Sequence, residues 1–222
     1  VQMVSGMIGA IGEDYSTRQT IKETGGFIQD EHWQANLENI RTEFKLASNL
    51  DINVISTHAG FIPPQEQDPV FMKLLDRVDA IAKLAEEKLD GGWLLLETGQ
   101  ETAETMRLFQ EHLLQENVGV NFDPANMLLY GMGDPVEALD TLFPFVKQVH
   151  IKDATPPEVE GQWGTEVPIG EGAVDWPAFF KLLNDRGYDG DLIIEREAGG
   201  ERINDVKTAI GYVNQTLERI KS

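Results

Sequence analysis

The chain has 222 residues, a formal net charge of −20 and no cysteine. This length fits one large α/β domain, residues 1–222, with room for a buried core. The lack of cysteine excludes disulfides, a thiolate zinc site and a cysteine nucleophile. Because nucleic-acid binding needs a basic surface, the acidic excess argues against such a partner. No apolar run is long enough for a membrane span and no secretory signal pattern is visible, so we expect a cytoplasmic protein.

Strand-like and helical patterns alternate along the chain, which predicts a parallel sheet whose strands are connected by helices. Six strand-like runs are predicted: Val1–Ala10, Asn53–Thr57 and four runs that end at Glu97, Asp123, His150 and Glu195. Helical patterns are predicted at about His32–Ser48, Asp68–Lys88, Glu101–Gln115, Asp134–Leu142, Asp175–Gly187 and Ile203–Ile220. A long loop rich in proline and glycine is predicted at Ala154–Ala173.

The number of strands bears on the fold class. A closed (β/α)8 barrel has eight strands and about 250 residues, whereas six are visible here, and the chain begins inside a strand-like run. We therefore predict an α/β fold of TIM-barrel lineage, incomplete in this chain, with about six βα units and the first two missing through N-terminal truncation, processing or an unusual gene. The rival is an open doubly wound sheet, but no glycine-rich phosphate loop follows the first strand.

Four of the apolar runs end on a residue that can bind a metal: Glu97, Asp123, His150 and Glu195. In a barrel, the carboxyl ends of the strands converge on one mouth. Two Glu, one Asp and one His would form a site rich in oxygen ligands, which suits Mn²⁺ or Mg²⁺ better than structural zinc. Glu197 competes with Glu195 because residues two apart share a strand face. Register with the apolar run favours Glu195.

Five short motifs follow one another along nearly the whole chain: Ser56–Pro63, Leu96–Thr102, Asn121–Met127, Val149–Asp153 and Gly170–Trp176. Gly187–Gly190 and the strand to Glu195 complete the pattern. Their order and spacing resemble the xylose-isomerase-like TIM-barrel superfamily of sugar phosphate isomerases and epimerases. Its members include ketose 3-epimerases, hydroxypyruvate isomerases, inosose dehydratases and endonuclease IV.

The resemblance implies one divalent ion, Mn²⁺ first and Mg²⁺, Co²⁺ or Zn²⁺ as alternatives, held by Glu97, Asp123, His150 and Glu195. It also implies a small carbohydrate substrate whose carbonyl and hydroxyl oxygens bind the ion, which stabilises an enediolate. Glu97 and Glu195 would be the catalytic pair, one removing the carbon-bound proton and the other returning it. The expected activity is isomerisation or epimerisation of a sugar or sugar phosphate.

Four further residues are candidates for contacting the substrate. His58 is a candidate for binding hydroxyl groups, with a core or loop histidine as the alternative. Asn126 is otherwise a turn residue, and Lys152 is otherwise an ion-pair partner of Asp153. Trp163 would pack on a sugar or anchor the long loop.

Two departures from the epimerase pattern leave the substrate open. Asn126 stands where ketose 3-epimerases usually carry a substrate-binding His, and Pro156 stands where they carry an Arg. An inosose dehydratase-like lyase is therefore one alternative. A non-catalytic truncated barrel that binds or assembles is another. An endonuclease IV-like enzyme needs three zinc ions and a basic groove, which four His and a charge of −20 oppose.

The predicted first strand has an apolar edge that two earlier strands would cover in a complete barrel. Unpaired apolar edges promote association, and this edge carries Val1, Met3, Val4, Met7 and Ile8. We therefore expect a homo-oligomer or another chain to cover it.

Overall fold

The computed structural model describes residues 2–159 and 161–221, and the chain divides into two compact units. The first comprises Val1–Glu97 and Thr105–Val120, and the second comprises Thr98–Glu104 and Asn121–Ser222. The prediction of a single domain over residues 1–222 stays a prediction. Among the helices described, none combines the length and the apolar character that a membrane span requires.

The first unit contains three parallel strands connected by helices. Strand β1 pairs with β2, and β2 pairs with β3, in a register that places Gly6 beside Ile55 and Val54 beside Trp93. The elements are β1 (Gly6–Met7), α1 (Arg18–Thr24), α2 (Asp30–Asn49), β2 (Val54–Thr57), α3 (Pro69–Lys88) and β3 (Trp93–Glu97). Helix α4 (Ala103–His112) and strand β4 (Val118–Phe122) each include residues of both units.

Helix α3 shows how the sequence determines local structure in this unit. Asp68 caps its N-terminus by accepting a hydrogen bond from the Val70 N–H, and Pro69 occupies the first helical position, where no donor is needed. Its apolar residues recur at helical spacing, so one face is buried and packs near α2. The buried face comprises Phe71, Leu74, Leu75, Val78, Ile81, Ala82 and Ala85. The predicted start and end of this helix are confirmed.

The predicted first strand is much shorter in the structure. Among the described residues of this run, 2–10, the strand covers only Gly6–Met7, which are the residues in register with β2. Val1 lies outside the described residues, and Met3 and Val4 are exposed. Cover of this edge by a second chain stays a prediction.

Two further features of the first unit differ from the predictions. The helix predicted to reach Gln115 ends at His112, because the Asp79 carboxylate accepts hydrogen bonds from the N–H groups of Leu114 and Gln115. Helix α1 was not predicted. Its start carries a capping box in which the Thr17 and Thr20 side chains bond each other's backbone N–H groups.

The second unit pairs β5 with β8 in parallel, so that His150 lies beside Ile193. Strands β6 and β7 form an antiparallel hairpin. The elements are α5 (Pro124–Tyr130), α6 (Pro135–Leu142), a 3-10 turn (Phe143–Phe145), β5 (Val146–Ile151), β6 (Asp153–Thr155), β7 (Thr165–Val167), α7 (Trp176–Asp185), β8 (Asp191–Ile194) and α8 (Arg202–Lys221). Packed aromatic rings fill part of its core: Phe122, Trp176, Phe179 and Phe180.

The prediction of a continuous loop over Ala154–Ala173 is wrong in two places. Part of β6 and the whole of β7 lie inside it, with Ala154 paired to Glu166 and Thr155 to Thr165. This pairing joins residues about ten positions apart, so the proline- and glycine-rich composition gives no periodic signal for it.

The buried Asp153 carboxylate organises the rest of this loop. It accepts hydrogen bonds from the N–H groups of Gly170, Gly172 and Val174 and from the Trp176 indole. A side chain at position 172 would not fit, because a Cβ there would lie 2.0 Å from Asp153 Oδ1. Asp153 therefore ties the loop to α7 immediately beside Lys152.

Candidate metal centre

Asp123 directly follows β4 and caps α5. Its Oδ1 accepts a hydrogen bond from the Asn126 N–H at 3.0 Å, and its own N–H donates to Thr98 Oγ1 at 2.8 Å. The side chain is fully buried, and Oδ2 has no hydrogen bond within the described part of the chain. The cap therefore holds one carboxylate oxygen and leaves the other to face His150 and Lys152.

His150 lies on β5 with its two ring nitrogens in different surroundings. Nε2 is 3.0 Å from the amide nitrogen of Asn121, a fully buried residue of β4. Nδ1 lies 3.3 Å from Glu195 Oε2 and 3.7 Å from Asp123 Oδ2. Each of Asp123, His150 and Glu195 thus offers one ligand atom within 4.8 Å of the others.

Lys152 places a buried ammonium group among three carboxylates. Its Nζ lies 2.9 Å from Glu195 Oε2, 2.6 Å from Glu197 Oε2 and 3.5 Å from Asp123 Oδ2. Burial opposes its charge, but the three carboxylates outweigh burial and raise the pKa of Lys152 above its usual range. The alternative pairing of Lys152 with Asp153 is wrong, because main-chain N–H groups and Trp176 occupy the Asp153 carboxylate.

Glu195 follows β8, and its N–H donates to the Ile151 carbonyl at 3.2 Å. Burial raises the pKa of its carboxyl, but hydrogen bonding to His150 and the charge of Lys152 outweigh burial and hold that pKa below its usual range. Glu197 lies further out, with a side chain that is 66% exposed and bonded to Lys152. The geometry therefore favours Glu195 over Glu197 as a ligand.

The residues of this cluster fit a divalent cation. Asp123, Glu195 and Glu197 surround one ammonium, so the cluster has an excess of two negative formal charges. Carboxylate oxygens with one imidazole nitrogen match the ligands of Mn²⁺ and Mg²⁺ sites better than a thiolate zinc site. The buried Asp123 Oδ2 is placed to accept an ion without losing a hydrogen bond.

Glu97 and His58 belong to the first unit. Glu97 ends β3 and is buried, and its Oε1 lies 4.0 Å from Nε2 of His58. Glu97 as fourth ligand and catalytic residue, and His58 as a substrate contact, stay predictions.

The other two predicted substrate contacts lie in the second unit. Asn126 Oδ1 is 3.4 Å from Lys152 Nζ, so Asn126 borders the carboxylate cluster. Trp163 packs edge-on against Tyr130 of α5, with ring centroids 4.9 Å apart. The neighbouring Gly164 N–H donates to the Leu129 carbonyl, so this part of the loop is anchored on α5. Contact of either residue with a substrate stays a prediction.

Sequence reasoning missed several residues of the second unit. Asn121 lies near the end of β4, two residues before Asp123, a spacing that in extended backbone places both side chains on one face. Glu101 is buried, and burial raises the pKa of its carboxyl to about 8. Glu166 and Arg196 form a buried ion pair that no local pattern indicated.

Comparison with known proteins defines the family. The model of the xylose isomerase-like TIM barrel family matches residues 24–216. The chain belongs to this family. A crystal structure of a xylose isomerase domain protein from Planctomyces limnophilus shares 32% identity and superposes with a TM-score of 0.90, covering 99% of this chain and 78% of that one. The predicted TIM-barrel lineage is confirmed and the open doubly wound sheet is excluded, whereas the loss of two earlier βα units stays a prediction.

Two other relatives differ in the activity that their names give. Inosose dehydratase from Klebsiella pneumoniae is 27% identical over 179 residues, which cover 71% of this chain and 58% of that protein. The chain therefore spans little more than half the length of this curated relative. A D-tagatose 3-epimerase-like protein has the same fold, with a TM-score of 0.73 and 20% identity, covering 100% of this chain and 79% of that one.

Proposed function

We propose that this chain is part of a divalent-metal-dependent enzyme that moves a proton at a carbon next to a carbonyl, in a sugar or sugar phosphate. The observation that carries the proposal is the convergence of Asp123, His150 and Glu195 around buried Lys152. Glu195 and Glu97 are the proposed acid–base pair of an isomerase or epimerase. Glu97 is also the proposed fourth ligand, and Mn²⁺ is the proposed ion.

The chain's own residues have distinct tasks in this proposal. Asp123 supplies a carboxylate oxygen and His150 a ring nitrogen. Binding through His150 Nδ1 requires that Nε2 carry the ring proton, and the Asn121 amide beside Nε2 then has to present its oxygen to that proton. His150 and Lys152 keep Glu195 ionised, which a base requires before it can accept a proton. When bound, a divalent ion polarises the substrate oxygens and lowers the pKa of the adjacent C–H group.

A second candidate is an inosose dehydratase-like lyase. The curated relatives at 26–29% identity carry that name. Both reactions begin when a base removes the proton beside a carbonyl. They differ in the next step, since an epimerase or isomerase returns a proton, whereas a dehydratase expels a neighbouring hydroxyl as water.

The test uses the chain loaded with Mn²⁺ and incubated in D₂O with a panel of ketoses, aldoses and inososes. We expect deuterium at one carbon of the converted sugar, detected by mass spectrometry and NMR. Loss of water from an inosose identifies the dehydratase instead. Conversion without deuterium uptake contradicts proton transfer and favours a hydride shift. Mn²⁺ binding without any conversion favours a non-catalytic binding protein. The matched control is Glu195→Gln, which keeps the shape of the side chain but removes the base.

A further inference from the structure

We infer that Glu166, on the β6–β7 hairpin, is a positioning residue that fixes Glu195 in the proposed metal centre. Within the described residues, Glu166 makes no hydrogen bond or ion pair with the side chain of a proposed ligand. It acts on the chain segment that follows β8, residues 195–198, which carries both Glu195 and Glu197. The inference rests on the proposed metal site and adds a residue from outside it.

The Glu166 carboxylate binds this segment at three points. Its Oε1 accepts a hydrogen bond from the Glu197 N–H at 3.0 Å, and its Oε2 accepts one from the Ala198 N–H at 3.0 Å. Its Oε1 also accepts a charged hydrogen bond from Arg196 Nη1 at 2.5 Å. A single side chain thus contacts three consecutive residues immediately after Glu195.

Arg196 extends this network to α8. Its Nε donates to Asp205 Oδ2 at 2.9 Å, so the guanidinium lies between a carboxylate of β7 and one of α8. The side chains of Arg196 and Glu166 are only 9% and 7% exposed. The hydrogen bonds of Arg196 to Glu166 and Asp205 join charged groups that are partly shielded from water, which makes them stronger than neutral hydrogen bonds. The segment is therefore held by a second set of contacts, separate from those that Lys152 makes.

The backbone around Glu195 needs support because the pairing of β8 with β5 ends just before this residue. Strand β8 stops at Ile194, and the Glu195 N–H makes one more bond to the Ile151 carbonyl. Beyond that point the backbone depends on side-chain contacts. Lys152 attracts both Glu195 and Glu197, whereas a metal ion also requires Glu195 beside His150 Nδ1, 3.3 Å away. The three hydrogen bonds that Glu166 accepts from residues 196–198 limit how far this segment can shift toward Lys152.

The test measures Mn²⁺ affinity by EPR titration of the chain, a readout that does not depend on turnover. We expect Glu166→Gln to weaken Mn²⁺ binding by about 10- to 100-fold, as is typical when a contact behind a metal ligand is lost. Gln fills the same space but offers one acceptor oxygen and no charge. If this variant does not fold, Arg196→Lys keeps the positive charge, removes the forked donor and is expected to act in the same direction.

Three controls separate positioning from general destabilisation. Glu171→Gln changes an exposed carboxylate of the same loop and should leave Mn²⁺ affinity unchanged. Val213→Ala removes buried volume from α8 and should lower the melting temperature but not the affinity. Asp123→Ala, which removes a ligand, shows that the measured ion occupies the proposed centre.

The outcomes distinguish this inference from the proposed function. If the unmodified chain binds Mn²⁺, Asp123→Ala abolishes binding and Glu166→Gln leaves it unchanged, the positioning role is wrong and the metal site stands. Glu166→Gln and Val213→Ala are compared at equal loss of melting temperature. If they then weaken Mn²⁺ binding equally, Glu166 has only a structural role. If the unmodified chain binds no Mn²⁺, the metal proposal and this inference fall together.

Discussion

Asp123 and Glu195 are both carboxylates that follow a strand in the second unit, yet different kinds of structure hold them. Asp123 is fixed locally, because it caps α5 three residues before its hydrogen-bond donor, Asn126. Glu195 depends on residues distant in sequence, since Lys152 contacts its carboxylate and Glu166 accepts hydrogen bonds from the N–H groups of Glu197 and Ala198 just after it. The position of the Asp123 carboxylate is therefore determined by residues close to it in sequence, whereas that of Glu195 depends on how several elements pack together.

The largest expected effect concerns the metal. Asp123→Ala removes a buried ligand and a helix cap together, so we expect Mn²⁺ affinity to fall by at least about 100-fold, beyond the range for contacts behind a ligand. Glu195→Gln keeps one oxygen in place but removes the negative charge, so it should lower affinity at least as much as Glu166→Gln does, by about 100-fold. Isothermal titration calorimetry with Mn²⁺ measures both changes.

Asp134→Ala is the matched control for the capping role. Asp134 caps α6 through the N–H groups of Val136 and Glu137 and lies on the surface. Its loss should cost about 1 kcal/mol of stability, as for other N-caps, without changing Mn²⁺ affinity. Equal losses of affinity in Asp123→Ala and Asp134→Ala would mean that the effect comes from helix stability, and the comparison with Glu195 would fail.

The second prediction removes the cation that holds Glu195. Lys152→Met leaves Asp123, Glu195 and Glu197 without their shared ammonium, so we expect a loss of about 3–5 kcal/mol in the free energy of unfolding at pH 7. Urea unfolding measures it. Lys147→Met, on an exposed residue of the same strand, is the control and should change stability little.

The pH dependence of the free energy of unfolding tests whether Lys152 stabilises the protein through its charge. Because the pKa of Glu195 is lowered in the folded protein, its stabilising contribution is present above the ordinary carboxyl pKa and is lost as pH falls through the lowered value. Without Lys152 this loss in acid should shrink, so the two unfolding free energies should approach each other below about pH 4.5. A constant difference between pH 7 and pH 3 would show that Lys152 acts through packing alone.

The third prediction concerns Glu101, a carboxyl in the second unit whose pKa is shifted mainly by burial. Burial raises the pKa of Glu101 to about 8, so the folded protein holds a proton that the unfolded chain releases above its ordinary pKa of 4.5. Stability should therefore fall as pH rises from 4.5 to 8. Glu101→Gln removes this cost, and a shift from 4.5 to about 8 at about 1.4 kcal/mol per pKa unit corresponds to a gain of about 4 kcal/mol over the unmodified chain at pH 8.

The gain should vanish below about pH 4.5, where the Glu101 carboxyl becomes protonated in the unfolded chain as well as in the folded protein. Glu104→Gln, an exposed position at the start of α4, is the matched control and should show no such pH dependence. Urea unfolding at a series of pH values separates the two variants. A Glu101→Gln variant that is destabilised at every pH would mean that the carboxylate makes a necessary ionic contact.

The sequence by itself determined much of this protein. Period and capping signals located α2, α3 and α6, and apolar runs ending at Asp123, His150 and Glu195 marked three residues that the fold brings together. These features depend on local periodicity and on the rule that parallel strands point their carboxyl ends the same way.

Only the tertiary structure decided the partners of those residues. Lys152 binds Glu195 across 43 positions and Glu166 binds Glu197 across 31, and no periodic pattern reports pairings over such separations. The β6–β7 hairpin was not predicted for the same reason, because its pairing also joins residues that no periodic pattern connects. Charged groups are drawn together here because burial removes competing water, and which groups are buried together is a property of the packed chain.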